Sequence, residues 1–433
     1  MDRDIYQKLL KWKQSPRRKP LVLNGARQVG KTYALSFFAQ KHYKNYVYLN
    51  FEKDSIVGQY FTDTIDPKHL IKLLAIHSNT RIEPENTLLI FDEIQENPRA
   101  LNSLKYFCED APEYHIATAG SLLGVKLAQE HGFPVGKVNF IHLYPLSFYE
   151  FLTALDARQL RDYLENYTGF EPLPEPLHIK TLNFLRYYFF VGGMPEAVLT
   201  YVKTDDLQEV RMVQSEILDA YERDFAKHAP THQIMKISTV WNQIHRQLAK
   251  ENKKFIFSAI RKSARGRDYE DAIQWLMDAG LIYKCYNLSA AKLPLSAYSD
   301  FNTFKLYLLD VGLLGALSQL TAKTIINQDQ LFVEFKGALT ENYVAQTLKT
   351  TPHMELYYWT SAGIAELDFV IENEGDIFPL EVKSGTSQKQ KSLIEFGKKY
   401  PSIQLFRTSQ LNLEFNRNVY NYPLYMLGNF PPI

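Results

Sequence analysis

The stretch Gly25-Ala26-Arg27-Gln28-Val29-Gly30-Lys31-Thr32 decides how the first part of this chain folds. It fits G-x-x-x-x-G-K-[ST] at every fixed position and follows the short apolar run Leu21-Val22-Leu23. Strand, glycine-rich turn and helix in that order make a cradle for phosphate. The glycines let backbone approach closely, the amide N–H groups and the helix N-terminus offer positive ends, and the lysine neutralises β/γ charge. The pattern predicts these eight residues, with Tyr33 after them, as a binding loop for ATP. Lys31 is expected to act in catalysis as well, and Thr32 to offer its hydroxyl to Mg²⁺.

Such a loop needs a second strand that carries a carboxylate to the metal. Thr87-Leu88-Leu89-Ile90-Phe91 is a continuous apolar run, which reads as a strand buried on both faces, and it ends in Asp92-Glu93. Asp92 is expected to hold Mg²⁺ together with Thr32, and Glu93 to polarise the attacking water, which argues for hydrolysis beyond binding. A buried strand ending in two solvated acids is the bland reading, and the complete loop upstream disfavours it.

Two further strands fit, at residues 46–51 and 115–121, and strands alternating with helices imply a parallel sheet. Ser121 at the end of the second is a candidate contact to the γ-phosphate, with a turn or cap serine as the equal alternative.

GARQVGKT, LLIFDEIQ, the AGSLLG of residues 119–124 and the HLYPLSFYEFL of residues 142–152 together resemble a known group. So do VGGMPEAV (191–198), FKLYLLDVGLL (304–314) and GALTENYVAQTL (337–348) further on. The chain is similar to the AAA+ type ATPases of archaea and bacteria that carry a C-terminal domain of unknown function, and the motifs span nearly its whole length. The resemblance implies an additional-strand P-loop ATPase followed by a helical lid and a winged helix. It names no substrate. Such ATPases commonly borrow an arginine from a neighbouring subunit, which leaves a homo-oligomer open, but no spacing selects among Arg99, Arg186 and Arg223.

At 433 residues the chain exceeds what one core usually serves. Hydrophobic residues are 45% and charged residues 22%, which excludes extensive disorder, and a net charge of +1 gives no global field for nucleic acid or anionic lipid. Cys108 and Cys285 are far apart, in no metal-ligand spacing, which fits a reducing compartment. The charged N-terminal stretch and the lack of a long apolar run predict a cytoplasmic protein without membrane spans.

Prolines 172, 174 and 176 signal a linker. Helical spacing from 181 to 227, broken at Gly192-Gly193, predicts the lid. Helices through Val240-Trp241 and residues 269–277, followed by strands at 281–286 and 304–309, suit a winged helix. Arg246, Lys250, Lys253, Lys254, Arg261, Lys262, Arg265 and Arg267 face the single acid Glu251, a candidate track for DNA or RNA phosphates. The acids at 268, 270 and 271 argue against base reading, and a solvated or docked face is the equal alternative.

Residues 366–371 and 378–384 flank the turn Asn373-Glu374-Gly375-Asp376. If Asn373 pairs with Asp376, then Asp368 lies opposite Glu381, and Lys383 projects from the same face as Glu381. Facing carboxylates call for a cation between them, with Mg²⁺ the default. This D…E-x-K pattern resembles the PD-(D/E)XK nucleases, and the resemblance adds Glu341 from the helical stretch upstream. The nuclease set is then Glu341, Asp368, Glu381 and Lys383, the three acids as metal ligands. A cross-strand ion pair without chemistry is the competing reading.

The expected architecture is therefore α/β. It comprises an AAA+ type P-loop domain (1–155), a helical lid or linker (156–230), a winged-helix-like module (231–315) and a restriction-endonuclease-like domain (316–433). The expected function is a Mg-dependent ATP-hydrolysing switch coupled to a nucleic-acid-binding C-terminal domain, with cutting permitted by its four residues. The rival is a regulatory or scaffold ATPase whose C-terminal domain only recognises protein or nucleic acid. A small-molecule kinase is remote, because the Asp92-Glu93 pair favours water as acceptor.

Overall fold

Five short strands lie parallel in the order β2-β3-β4-β1-β5: Leu21–Asn24 (β1), Asn45–Asn50 (β2), Thr87–Asp92 (β3), His115–Ala119 (β4) and Asn139–His142 (β5). The structure is a computed structural model that describes residues 1–120, 136–250, 253–260, 265–326, 333–351, 354–361, 365–387 and 390–431. Its chain forms two compact units: residues 2–144 with 278–280, and residue 1 with 145–277 and 281–433.

In the first unit every residue of β3 is buried, as its unbroken apolar run requires. Leu89 and Phe91 join a core with Val57, Phe61, Leu70, Leu104 and Phe107, and Leu88 and Ile90 on the opposite side are equally covered. Aromatic edges lock that core: Phe91 sits 5.7 Å from Phe61 and from Phe51, ring centre to ring centre. The loop-bearing strand β1 does not touch β3, because β4 is inserted between them. That insertion is the additional strand which the resemblance implies.

The second unit begins with helices. Glu175–Val191, Pro195–Thr204, Leu207–His228 and Ile234–Leu248 follow one another, and Gly192-Gly193 makes the expected break. Pro176 lies in the first turn of the helix Glu175–Val191, where its missing N–H costs nothing.

Eight strands complete this unit: Ile282–Leu288 (β6), Ser299–Leu308 (β7), Leu356–Thr360 (β8), Glu366–Asn373 (β9), Asp376–Val382 (β10), Leu405–Ser409 (β11), Glu414–Asn416 (β12) and Val419–Pro423 (β13). They form one mixed sheet in the order β12-β13-β11-β10-β9-β8-β6-β7. The hairpin expected as the wing of a winged helix is thus part of the sheet that contains the C-terminal strands. β6 reaches that sheet through a parallel pairing with β8, across the helix Val333–Lys349 in sequence.

Four of the motifs behind the resemblance meet here. Asp310 caps the helix Val311–Leu317 by accepting from Leu313 N–H at 3.0 Å and also accepts from Gly193 N–H at 2.6 Å. Gly193 O in turn accepts from Leu146 N–H at 2.6 Å. A Cβ on Gly193 would stand 2.1 Å from the Leu146 carbonyl oxygen, so only glycine fits. Gln214 donates to the last carbonyls of the helix Glu175–Val191, Phe190 O and Val191 O, at 2.8 and 2.9 Å. GALTENYVAQTL contributes Asn342, which exchanges two hydrogen bonds with the backbone of Leu308 on β7.

Candidate nucleotide loop and C-terminal carboxylate cluster

Gly25, Gln28 and Gly30 all take positive φ, at 151°, 64° and 89°, which turns the chain from β1 into the helix Lys31–His42. A Cβ on Gly25 would meet the Leu143 carbonyl oxygen at 2.2 Å, which explains the glycine there. Lys31 is buried, and its ammonium donates to Gly25 O at 2.9 Å and Ala26 O at 2.7 Å. Burial pushes its pKa down to about 8, against the pull of Glu93 and Asp92. Tyr33 is exposed one residue beyond Thr32.

The two motifs meet at Thr32, whose hydroxyl donates to the Asp92 carboxylate, 3.0 and 3.2 Å from its two oxygens. Glu93 follows with φ 51°, a left-handed turn that ends β3 and costs about 1 kcal/mol in a residue with a Cβ. Its carboxylate accepts from the Gln95 side-chain amide. A hydroxyl and a carboxylate are the hard oxygen donors Mg²⁺ takes, usually one or two per protein alongside water and phosphate, so these residues fit the ion. Ser121 lies outside the described residues.

Tyr48 and Arg3 join this region unannounced by any motif. The Tyr48 hydroxyl donates to Asp92 at 2.6 Å, and burial, then the Asp92 bond, raise its pKa to about 12. The signal was available in register: Asn50 pairs with Asp92, which puts Tyr48 two residues back on the neighbouring strand. Arg3 donates to Tyr144 O at 2.8 Å and to the loop carbonyl Val29 O at 3.4 Å.

This geometry agrees with the family comparison. Residues 17–152 match the AAA domain. The AAA segment is thus a P-loop ATPase type of domain, with the parallel five-stranded sheet described above. Residues 182–324 and 336–427 match two domains of unknown function, DUF8612 and DUF4143. An uncharacterised protein of Methanocaldococcus jannaschii is 23% identical over 427 residues, covering 96% of this chain and 85% of its own. A Walker-type ATPase of Pyrococcus abyssi is 15% identical with a TM-score of 0.45, over 73% of this chain and 95% of that one. The ORC1 protein of Aeropyrum pernix in complex with DNA is 13% identical with a TM-score of 0.30, over 75% and 92%. Likenesses this low carry no argument about function. No helix among the described residues is long and apolar enough to cross a membrane.

Outside the AAA segment, the β9–β10 hairpin has the register expected from its turn. Asn373 pairs with Asp376, and Phe369 with Leu380, so Asp368 and Glu381 come next to one another at the following step. Glu374 and Gly375 both take positive φ, as a tight two-residue hairpin demands. Asp368 accepts from Val382 N–H at 2.7 Å. Lys383 pairs with Glu381 at 2.6 Å, and the other Glu381 oxygen is buried without a hydrogen-bond partner.

Glu341 is surrounded by cations. Lys253 donates to its Oε1, Lys305 stands 3.8 Å from its Oε2, and the Tyr307 hydroxyl donates to Oε2 at 3.2 Å. Lys305 is fully buried and also pairs with Glu366 at 2.5 Å. Burial would strip a proton from Lys305, but Glu341, Glu366 and Asp368 outweigh it and hold the pKa above the usual lysine range. Burial would likewise raise Glu341, yet Lys253 and Lys305 bring its pKa below normal, while burial and the Glu341 charge raise Asp368.

Each of Glu341, Asp368 and Glu381 thus has a lysine or a backbone N–H of the protein against it. Among the described residues no group of three His, Cys, Asp or Glu side chains is disposed to hold one. The pattern of acids was legible in sequence; the lysines that answer them were not recognised. Lys305 in the otherwise apolar strand Phe304-Lys305-Leu306-Tyr307-Leu308 was the available signal, since a lysine inside a buried strand needs a buried partner.

Proposed function

We propose that the chain is a Mg-dependent ATP-hydrolysing switch, in which the AAA segment turns over nucleotide and the remaining unit recognises nucleic acid without cutting it. The observation that carries the first part is the Thr32–Asp92 contact at 3.0 Å, which unites the loop lysine's neighbour with the acid-tipped strand. Gly25, Ala26, Arg27, Gln28, Val29 and Gly30 present backbone to the phosphates. Lys31 exchanges the two loop carbonyls for β/γ-phosphate oxygens, which are stronger acceptors because they are charged. Thr32 and Asp92 would hold Mg²⁺, which neutralises charge on the β- and γ-phosphates. Glu93 accepts a proton from the attacking water, and Gln95 fixes its carboxylate.

Turnover of ATP by purified protein tests this. Lys31→Ala should lose turnover by at least a hundredfold, and Glu93→Gln should bind ATP while releasing phosphate a hundredfold more slowly. Unchanged hydrolysis in Lys31→Ala would refute the assignment.

The nucleic-acid part is supported by residues 246–267. Arg246, Lys250, Arg265 and Arg267 are exposed, whereas Lys253 is committed to Glu341. Arg261 and Lys262 lie outside the described residues. Contacts of this kind track phosphates and weaken with salt. Fluorescence anisotropy with a labelled DNA duplex and a single-stranded RNA should give affinity that falls steeply with salt and is lost on replacing the four exposed cations with glutamate. Binding unaffected by those replacements would sink this part and leave a protein-recognition ATPase.

A further inference from the structure

The four-residue nuclease pattern holds a feature that the pattern does not predict: Glu341, one of its acids, is already answered by two lysines inside the fold. We propose that Lys305, seconded by Lys253, is the resident cation of this carboxylate cluster and occupies the electrostatic role a divalent metal would otherwise take. This goes beyond the ATP reading and does not depend on it, since every residue concerned lies in the second unit.

Three geometric facts support the assignment. Lys305 has no solvent exposure, and its ammonium reaches two acids on different elements, Glu366 at the start of β9 and Glu341 on the helix Val333–Lys349. It also stands 4.8 Å from the ring of Tyr358, whose face favours a cation. Both oxygens of Glu341 are engaged, Oε1 by Lys253 and Oε2 by the Tyr307 hydroxyl.

A buried ammonium cannot retreat to water as an exposed one would. A divalent ion placed among the same acids would feel its full repulsion, which low local dielectric strengthens. Asp368 accepts from Val382 N–H with one of its oxygens. Glu381 adds one buried oxygen without a hydrogen-bond partner, and the lysine ammonium groups, rather than a shortage of oxygens, oppose a second cation there. The lysines thus close the cluster, and the nuclease resemblance becomes one of scaffold rather than chemistry.

Mn²⁺ binding to the full-length protein tests this, read by the loss of the free-ion electron paramagnetic signal without nucleotide. All proteins carry Asp92→Asn, so that the ATP site does not contribute. Protein with Lys305 intact should show the same Mn²⁺ binding with Asp368 or with Asp368→Asn. Lys305→Met should gain an Mn²⁺ site at least tenfold tighter, lost again on adding Asp368→Asn, and its melting temperature should rise with Mn²⁺. Asp368-dependent Mn²⁺ binding in protein that retains Lys305 would overturn the proposal. So would a folded Lys305→Met protein whose Mn²⁺ binding is unchanged. If Lys305→Met does not fold, the comparison of Asp368 with Asp368→Asn still decides. Failure of ATP turnover would leave these results untouched.

Discussion

Lys31 carries two opposed demands on one ammonium. It must be charged to meet phosphate, yet it is buried, and burial holds its pKa at about 8. Between about pH 8 and the unfolded value of 10.5, the unfolded chain binds the proton and the folded chain does not. Stability attributable to this group therefore rises with pH across that window, and the penalty is complete below it. The shift corresponds to about 3 kcal/mol, and the two carbonyl bonds recover about 1 kcal/mol each. Lys31→Met removes this titration, so its melting temperature should vary less between about pH 8 and 10.5 than the parent's while it fails to bind ATP, a comparison that calorimetry can make. For the parent, ATP affinity should be flat below about pH 8 and fall above it, because only the charged lysine binds.

Tyr48 poses a second question at this scale. Its 2.6 Å bond to Asp92 orients the carboxylate that Thr32 also touches. A hydrogen bond to a charged acceptor contributes about 1.5–3 kcal/mol when buried and less here, where the tyrosine is 41% exposed. Tyr48→Phe should raise the Mg²⁺ concentration for half-maximal turnover about three- to tenfold and leave the maximal rate within about twofold. A rate unaffected at every Mg²⁺ concentration would show that the tyrosine only packs.

Among the elements, motifs that carry the family resemblance turn out to be joints. Asp310 serves two backbone N–H groups on separate segments, and Gly193 is confined by the Leu146 carbonyl. Asp310→Ala would leave both donors buried and unpaired, so a loss of about 2–4 kcal/mol is expected from chemical denaturation. Gly193→Ala should be at least as damaging, through collision with backbone that has no room to yield. Sequence reading located the β3 strand, the Gly192-Gly193 break and the hairpin register, because each is written in a few contiguous residues. It did not see Asp310 or Lys305 at work, since their partners are 117 residues away in one case and 36 to 61 in the other.

At the level of the whole molecule, the division of the chain follows pairing that local patterns do not record. The hairpin of β6 and β7 reads as a wing because helices precede it, and only its pairing partner β8 reveals its sheet. By contrast β1 to β4 were anticipated as strands of a parallel sheet, though not their order or β5, since a phosphate loop between strand and helix constrains the rest. The AAA segment was therefore the legible part. The C-terminal portion was legible in its hairpin and its acids but not in the cations that surround Glu341.

The pairing of β6 with β8 sets where this protein tolerates being cut. A fragment beginning at residue 316 would keep β8 but strip its neighbour, laying bare the amides of Leu356-Tyr357-Tyr358-Trp359, four residues that are otherwise buried. Such an unprotected apolar edge recruits other chains. That fragment should aggregate on expression, whereas one starting at 145 should remain monodisperse in light scattering, and any dissection of the C-terminal half has to begin upstream of Ile282.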